Sequence, residues 1–455
     1  MLQHHIRRSL SAAALGLLAA CGQEQQALAP SLALEQSSSP TDLTTIVRQL
    51  AVQRGIGRMP ARPYVRPALV RLGQALAFDK ILSGNRDIAC MTCHLPGLAT
   101  GDGRSLSVGQ GATGLGPGRF DPAGAFIPRN APSLFNLTAL QSLFWDGRVM
   151  PDGPGKYHTP AGTAITPGMT RVFEFGVISA LGLFPVVSRE EMRAQSGNDL
   201  AEISDSDNPS IWRALMARLG NIPEYRRLFA DAYPGTSFNQ MTFAHASNAI
   251  GGFLVDQFSF VNTPWDRFLA GDDYAMSQAQ LTGAQTFLTI KCSLCHNGPA
   301  FTDNKFHNVA LAQFGPGKGN GPHRNDDFGR MNVTKLETDR YTFRTTPLRN
   351  VVLTAPYGHD GAFADLHDFI DHYSESDLKL RGFKPGNIEA LLQNTIVPNF
   401  DAILANRDTI LNGVVLPSAT VDQLTTFMSA LTDPAARNLE RTVPRRVPSG
   451  LPVDH

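Results

Sequence analysis

The sequence predicts a mainly α-helical fold of two domains with long loops. Three observations support this prediction: apolar residues recur at helical spacing, glycine and proline are abundant, and one short cysteine motif occurs twice along the chain. The 41 glycines and 31 prolines among 455 residues favour many loops and argue against a coiled coil or a mostly regular sheet. The formal net charge is zero, which gives no reason to expect a nucleic acid as a partner.

The N-terminus resembles a bacterial export signal. Arg7 and Arg8 precede an apolar run over 12–20, which is too short to span a bilayer but suits the core of a signal peptide. The run ends at Cys21 in a string that resembles a lipobox, whose cysteine is lipidated and becomes the first mature residue. We therefore expect a lipoprotein signal peptide over 1–21, a periplasmic protein, and membrane contact only through a lipid at Cys21. A signal peptide with an incidental cysteine is the alternative.

The next segment is expected to be a tether that leads to the first helix. Residues 22–45 are rich in Gln, Ser, Ala and Pro and lack apolar periodicity, which predicts a flexible linker. Pro67 fits the first turn of a helix that carries Leu69, Leu72 and Leu76 on one face.

Other segments farther along the chain also carry structural signals. Helices are expected over 211–219, near 225–229, and over 424–431, the last ending before Pro434. The glycine-rich segment 315–321 lacks the G-K-[ST] of a phosphate loop and is expected at the surface, near the second cysteine motif.

Four cysteines fall in two copies of the motif C-x-x-C-H, over 90–94 and 292–296. This is the attachment signature of c-type haem, in which two thiols one helical turn apart bind the vinyl groups and the next imidazole reaches the iron. Ser277 and Gln280 form a capping box that opens a helix toward the second motif. The motifs predict two covalently bound haems, held by Cys90, Cys93, His94, Cys292, Cys295 and His296.

Three other interpretations of these cysteines are weaker. A thioredoxin-like C-x-x-C needs a βαβ context, a four-cysteine zinc site needs no histidine after each pair, and structural disulfides leave both histidines unexplained. Because the motifs lie far apart, each haem is expected in its own domain. We predict an N-terminal peroxidatic haem domain over 46–260, a C-terminal electron-transfer haem domain over 261–435, and a tail over 436–455.

Four further strings accompany the haem motifs: N-A-P-S-L at 130–134, F-W-D-G-R at 144–148, T-P-L-R-N at 346–350 and T-A-P-Y-G-H-D-G at 354–361. Together they resemble the bacterial dihaem cytochrome c peroxidase/MauG superfamily over residues 65–435. The resemblance implies two cytochrome c-like, mainly helical domains. It also implies that the N-terminal haem reacts with peroxide, that the C-terminal haem stores or relays electrons, and that a calcium ion lies between them near the domain interface.

The resemblance assigns metal ligands to single residues. His94 and His296 match the histidines that bind the two haem irons. The side chain of Asn130 and the carbonyl groups of Thr354 and Pro356 match the calcium ligands of the family.

At the first haem, the resemblance places Gln110 where peroxidases of the family carry a histidine that caps the resting iron. Glutamine is a poor iron ligand, so this haem is expected to be open. Pro185 and Glu191 match the distal proline and the distal acid, with Glu190 as the alternative register. Leu181 replaces a glutamine of the family.

At the second haem, the family peroxidases place a methionine, and the MauG-type relatives a tyrosine, at the position of Tyr373. The sequence supports a ligand there, because Leu366, Phe369, Ile370 and Tyr373 share one helix face. His372 falls off that face and is expected on the solvent side. An anionic tyrosine oxygen favours oxidised iron.

These residues predict a periplasmic, MauG-like dihaem enzyme. Hydrogen peroxide would react at the first haem with Glu191 as acid–base group, and Trp145 would conduct between the haems. The partner would be a small cytochrome c, a cupredoxin or a protein that the enzyme modifies. An ordinary cytochrome c peroxidase is the first alternative and a non-catalytic dihaem electron carrier the second. Ile290 replaces a surface tryptophan of some relatives, so maturation of methylamine dehydrogenase is not expected.

Overall fold

The computed structural model describes residues 42–121 and 126–455, and these confirm the predicted mainly α-helical class. Two pairs of very short antiparallel strands are present: β1 Met150–Pro151 with β2 Tyr157–His158, and β3 Phe306–His307 with β4 Phe343–Arg344. None of the described helices is both long and apolar enough to cross a bilayer. In chain order the α-helices are α1 Leu43–Gln53, α2 Pro67–Phe78, α3 Cys90–Cys93, α4 Pro167–Thr170, α5 Val177–Ala180, α6 Asn208–Gly220, α7 Pro223–Ala232, α8 Phe243–Phe258, α9 Pro264–Leu269, α10 Gln278–Thr289, α11 Cys292–Cys295, α12 Met331–Thr334, α13 Leu366–His372, α14 Ser376–Arg381, α15 Phe400–Ala405 and α16 Ser418–Ala430.

The first described residues already form a helix. The predicted signal peptide over 1–21, with Cys21, and most of the predicted tether lie outside the described residues. Helix α1 begins at Leu43, where the side chain of Asp42 accepts the N–H of Thr44 and caps the helix. Helical structure therefore starts slightly before residue 45, the predicted end of the tether.

The larger of the two main hydrophobic clusters, here called the N-terminal core, is built around helices α2 and α8. Pro67 lies in the first turn of α2 as predicted, and the three leucines of its expected face are fully buried. The two helices approach each other closely at Gly73, because a Cβ there would collide with the carbonyl oxygen of Ala249. Helices α6 and α7 correspond to the segments predicted over 211–219 and 225–229 and pack on the same core.

The second cluster, here called the C-terminal core, is formed mainly by helices α1, α9, α10 and α16. The predicted capping box opens α10: the Ser277 hydroxyl accepts the N–H of Gln280, and the Gln280 side chain accepts the N–H of Ser277. Gly283 allows α10 to approach α16, because a Cβ there would collide with the carbonyl oxygen of Gln423. The centre of this core is an aromatic group of Trp265, Phe287, Phe301 and Phe427.

Each end of the described chain packs on the hydrophobic core that lies farther from it in the sequence. Helix α1 precedes α2, yet its Val47 and Ala51 lie in the C-terminal core. The tail over 436–455 follows α16, yet Ala436 and Val447 lie in the N-terminal core. Helical periodicity shows which face of a segment is buried, but it does not show which partner buries that face.

Candidate haem sites

The first C-x-x-C-H motif forms the single turn α3, and neither of its cysteines takes part in a disulfide. His94 directly follows this turn, and its Nδ1 lies 2.9 Å from the carbonyl oxygen of Thr100. The Nδ1–H group therefore donates to this carbonyl, which leaves Nε2 available for a metal. Burial lowers the pKa of His94, which favours the neutral imidazole that metal ligation requires.

The second motif repeats this geometry in α11, again without a disulfide between its cysteines. The Nδ1 of His296 lies 2.9 Å from the carbonyl oxygen of Phe301, and burial lowers the pKa of His296. Cys292, Cys295 and His296 all border a cavity of about 570 Å³, here called the second cavity because it adjoins the second motif. A mainly apolar cavity beside two thiols and an oriented imidazole fits a c-type haem.

One face of helix α13 forms part of the wall of this cavity. Burial raises the pKa of Tyr373, and the neighbouring thiols of Cys295 and Cys292 raise it further. Tyr373 therefore lies at the same cavity as the cysteines of the second motif. All four residues of the predicted face border the cavity: Leu366, Phe369, Ile370 and Tyr373.

The prediction that His372 lies on the solvent side is wrong. This side chain is only 3% exposed, and its Nε2 lies 2.9 Å from the carbonyl oxygen of Val309. Its ring also packs against Phe363. The prediction failed because neighbouring segments cover the side of α13 that the helical pattern leaves polar.

The residues predicted on the distal side of the first haem lie close together. The loop over 107–111 packs against a π-helical turn over Arg189–Arg193, since a Cβ at Gly109 would collide with the backbone of that turn. Gln110 is buried, and its Nε2 donates to the carbonyl oxygen of Met192. Within the described residues, its Oε1 has no hydrogen-bond partner.

The packing of this turn distinguishes the two candidate acids. Glu191 is partly buried, whereas Glu190 is exposed and accepts a hydrogen bond from Ser188. Pro185 begins a 3₁₀ turn, Pro185–Val187, directly before the π-helical turn. Because a desolvated carboxyl is the one whose proton affinity changes most, the structure favours Glu191 over Glu190 as the distal acid.

Two positive charges act on this acid. Burial raises the pKa of Glu191, and the charges of Arg148 and Lys318 oppose that increase. Lys318 lies in the glycine-rich loop 315–321, which was expected near the second motif. The loop instead packs against Leu106, a residue that follows the first motif and precedes Gln110 in the sequence. The sequence analysis did not identify Lys318 as a site residue. The one feature that could have indicated it is that Lys318 is the single charged residue in this glycine-rich segment.

Trp145 borders the second cavity and is held by neighbouring groups. Its Nε1 donates to the carbonyl oxygen of Asn130 at 2.9 Å. The next residue, Asp146, is buried and lies 2.7 Å from Arg129, which also binds Asp327 at 2.6 Å. Burial alone would raise the pKa of Asp146, but Arg129 holds it below its usual range. The indole is therefore fixed beside a buried, ionised network.

The three residues predicted to bind calcium share this cavity. Asn130, Thr354 and Pro356 all border it. The Nδ2 of Asn130 donates to the carbonyl oxygen of Arg104 at 2.9 Å, so the Oδ1 is the amide atom available to a cation. Amide and carbonyl oxygens are hard ligands that Ca²⁺ accepts, and the donor set therefore fits the ion.

A histidine held between two carboxylates in the cavity wall was not predicted. His307 borders the second cavity and lies 3.0 Å from Asp303 and 2.5 Å from Asp408. The hydrogen bonds to Asp303 and Asp408 raise the pKa of His307. The sequence offered only the i, i+4 spacing of Asp303 and His307 as a signal, and that spacing is common on solvated helices.

The chain is similar to several known proteins. The sequence profile described as di-haem cytochrome c peroxidase matches residues 67–274. Cytochrome c551 peroxidase of Pseudomonas aeruginosa is 32% identical over 303 residues, which cover 66% of this chain and 69% of the relative. Methylamine utilization protein MauG of Methylophilus methylotrophus is 27% identical over 311 residues, 68% of this chain and 72% of the relative. The crystal structure of a MauG-like protein associated with microbial copper homeostasis has a TM-score of 0.58 at 25% identity, and the match covers 85% of this chain and 95% of that one.

The chain therefore belongs to the dihaem cytochrome c peroxidase family, and it is a haem peroxidase. This confirms the resemblance drawn from the sequence strings. The family uses c-type haem, and its members imply hydrogen peroxide and a donor or substrate protein as partners. Relatives named cytochrome c peroxidase and relatives named MauG both match, so a finer assignment depends on the residues of the site.

Proposed function

We propose that this protein is a periplasmic, MauG-like dihaem oxidoreductase. It activates hydrogen peroxide at an open N-terminal haem and oxidises a donor or substrate protein through the C-terminal haem. The observation that carries the proposal is the pair of side chains at the two distal positions. Gln110 stands where a capping histidine would stand, and its amide is bound to the carbonyl of Met192. Tyr373 stands where a methionine would stand and borders the second cavity.

The oriented imidazoles and the adjacent cysteines support two haem-binding sites. The haem iron supplies the redox chemistry of O–O bond cleavage, and the protein supplies orientation, proton transfer and a route for electrons. If Tyr373 binds the second iron, its hydroxyl would lose its proton and bind as an anionic oxygen. The proposed haem-binding residues are Cys90, Cys93 and His94 at the first site and Cys292, Cys295, His296 and Tyr373 at the second.

Glu191 is the proposed acid–base group at the first haem. Cleavage of hydrogen peroxide requires a proton to move from the near oxygen to the far oxygen, and one positioned carboxyl can take and return it. The partly buried Glu191 is suited to this task because its pKa is raised. Pro185 would shape the pocket beside it, and Gln110 would leave the sixth position of the iron open.

Trp145 is the proposed relay between the two haems. Indole is oxidisable, and this ring borders the second cavity while its N–H is fixed on Asn130. An anionic oxygen ligand stabilises oxidised iron, so a second haem bound by Tyr373 would hold an oxidising equivalent better than it would store an electron. The two oxidising equivalents of one peroxide would then be shared by both haems.

Calcium and the cellular location complete the proposal. A calcium ion would bind the side chain of Asn130 and the carbonyl groups of Thr354 and Pro356, which share one cavity wall. Export to the periplasm and a lipid anchor at Cys21 are supported by the apolar run and the lipobox-like string of the sequence.

A cytochrome c peroxidase of the ordinary type is the second candidate function. The identity of 32% to cytochrome c551 peroxidase favours it. In that case a small cytochrome c or a cupredoxin would reduce the enzyme, and peroxide removal would be the outcome. A non-catalytic electron carrier is not proposed, because the chain belongs to a peroxidase family.

A titration separates the two candidates. The fully oxidised protein is mixed with one equivalent of hydrogen peroxide in the absence of a reductant, and its absorption spectrum is followed. We expect an altered spectrum that returns to the starting one after two equivalents of a one-electron reductant. If the oxidised protein is inert and reacts only after one haem has been reduced, the ordinary peroxidase is correct and the MauG-like proposal fails.

A further inference from the structure

The C-terminal segment over 434–455, here called the C-terminal strap, joins the surroundings of the two motifs. It follows helix α16, which contributes Leu424 and Met428 to the wall of the second cavity. The strap then runs across the N-terminal core, where Leu439 and Val447 are almost fully buried. The chain therefore leads directly from the second candidate haem site to the first.

Polar contacts fix the strap along its length. Its Thr442 carbonyl accepts a hydrogen bond from Gln74 of helix α2 at 2.8 Å. Farther along, the hydroxyl of Ser449 donates to the buried carboxylate of Asp79 at 2.6 Å, and the backbone N–H of Ser449 donates to the same group. The buried side chains and specific hydrogen bonds together show that the strap is a well-packed segment and not a frayed tail.

The strap ends on the first haem motif itself. Thr92 lies between the two motif cysteines and is fully buried. Its hydroxyl accepts the N–H of Ala89 at 2.9 Å and donates to the Asp454 carboxylate at 2.5 Å. The other oxygen of Asp454 lies 2.6 Å from the ammonium group of Lys80, and both side chains are largely buried. The carboxylate thus accepts from a cation and a hydroxyl at once, which makes both bonds charge-assisted.

The second motif provides an internal comparison. Leu294 occupies the position that corresponds to Thr92, and it is 44% exposed. A leucine side chain has no hydrogen-bonding group, so the second motif has no bond of this kind at that position. At the residue before the last cysteine, the first motif therefore has a side-chain hydrogen bond, whereas the second motif has none.

We propose that Asp454 is a positioning residue for the first haem. Acting through Thr92, it holds the attachment turn 90–93 in one orientation. The positions of the two sulfur atoms and of His94 are thereby fixed relative to the distal pocket. Lys80 binds the other carboxylate oxygen and so orients the group toward the hydroxyl. The proposal requires haem at Cys90 and Cys93 and is independent of whether the enzyme is MauG-like or an ordinary peroxidase.

The test uses the haem-loaded, full-length protein and four substitutions. Thr92→Val keeps the shape of the side chain but removes the hydroxyl, and Thr92→Ser restores the hydroxyl. Asp454→Asn removes the charge. Arg446→Ala is the matched control, because it breaks the exposed ion pair of the strap with Glu224 and leaves Thr92 alone. A pyridine haemochrome assay counts the haems, which checks haem attachment separately from the proposal.

Two readouts do not depend on activity: the ferric EPR signal of each haem, and hydrogen exchange of the backbone over 89–95. We expect Thr92→Val and Asp454→Asn to change the signal of the first haem alone. Exchange over 89–95 should increase by roughly tenfold or more, because one hydrogen bond to a charged group is lost. Thr92→Ser and Arg446→Ala should behave like the unsubstituted protein. Loss of the first haem alone in either substituted protein would support the same conclusion.

The proposal is overturned if Thr92→Val leaves both the first-haem signal and the exchange unchanged. It is also overturned if both haems change together, as in a general loss of stability. Should Asp454→Asn fail to fold, the comparison of Thr92→Val with Thr92→Ser decides alone, because these two proteins differ at the hydroxyl and keep the strap intact.

Discussion

Tyr373 is the residue on which the proposed character of the second haem site depends. It ends the face of helix α13 that borders the second cavity, beside the second pair of thiols. This position could be predicted from the sequence, because helical spacing places Tyr373 with three apolar residues on one inward face. The same spacing misplaced His372, because periodicity does not reveal a second layer of chain over the opposite face.

Replacing Tyr373 by phenylalanine tests its role as a ligand. We expect Tyr373→Phe to change the ferric absorption and EPR signals of the second haem, because the oxygen donor is lost while the ring remains. Tyr357→Phe is the matched control: Tyr357 borders the same cavity, but its hydroxyl is bound to the carbonyl of Val351. An unchanged second-haem signal in Tyr373→Phe would remove the ligand assignment.

Replacing Glu191 tests the acid–base role. Glu191→Gln should slow the reaction of the oxidised enzyme with hydrogen peroxide by about 10²–10⁴-fold, since a glutamine cannot take up the proton. Stopped-flow absorbance measures this rate. Glu190→Gln changes the neighbouring, exposed carboxyl and should leave the rate nearly unaltered. The opposite pattern would assign the role to Glu190.

The pH dependence of the same rate tests the influence of Lys318. Burial raises the pKa of Glu191 above the ordinary value of a glutamate, and the charge of Lys318 lowers it in part. If the carboxylate is the required base, the rate falls as the pH drops through this pKa. Lys318→Met removes the opposing charge, so the pKa should rise and the acidic limb should move to higher pH.

Lys318→Arg retains the charge and serves as the control for that shift. Identical acidic limbs in the methionine, arginine and unsubstituted proteins would show that the lysine does not act on the reacting carboxyl. The sequence could not have assigned Lys318 this place, because its loop reaches the distal pocket only after the chain has folded.

At the scale of elements, each core depends on one close helix pair. Helices α2 and α8 touch at Gly73, and helices α10 and α16 touch at Gly283. The start of α2 at Pro67 and the capping box of α10 could be predicted, because capping is a local interaction. The partner of each helix could not, and this is why α1 and the C-terminal strap pack on cores that the sequence did not indicate.

Adding one methyl group to α2 tests this packing. Gly73→Ala places a Cβ against the carbonyl of Ala249 and 2.8 Å from the Cβ of Phe253. Alanine favours a helix by about 1 kcal/mol over glycine, but overpacking against backbone costs about 1–3 kcal/mol or more. We therefore expect a net loss of stability in a denaturant titration. Gly118→Ala, which adds a methyl group in open space, is the control; equal stability of both proteins would contradict the packing argument.

At the scale of the whole molecule, the two candidate haem sites share their surroundings. The carbonyl oxygen of Asn130 accepts the indole N–H of Trp145, and its backbone N–H donates to the carbonyl oxygen of His359. Asn130 also borders the second cavity. Lys318 and the C-terminal strap both come from the second half of the chain and act near the first motif. Such contacts between distant segments are invisible to local patterns, whereas the haem motifs are visible because their chemistry fixes their spacing.

The ferric EPR spectrum of the resting enzyme tests the central claim most directly. We predict one high-spin signal from the first haem, with its sixth position free of a protein ligand, and one low-spin signal from the second haem. Both signals should diminish together when hydrogen peroxide is added. Two low-spin signals that do not respond to peroxide, with a nitrogen or sulfur side chain bound to the first iron, would contradict the account.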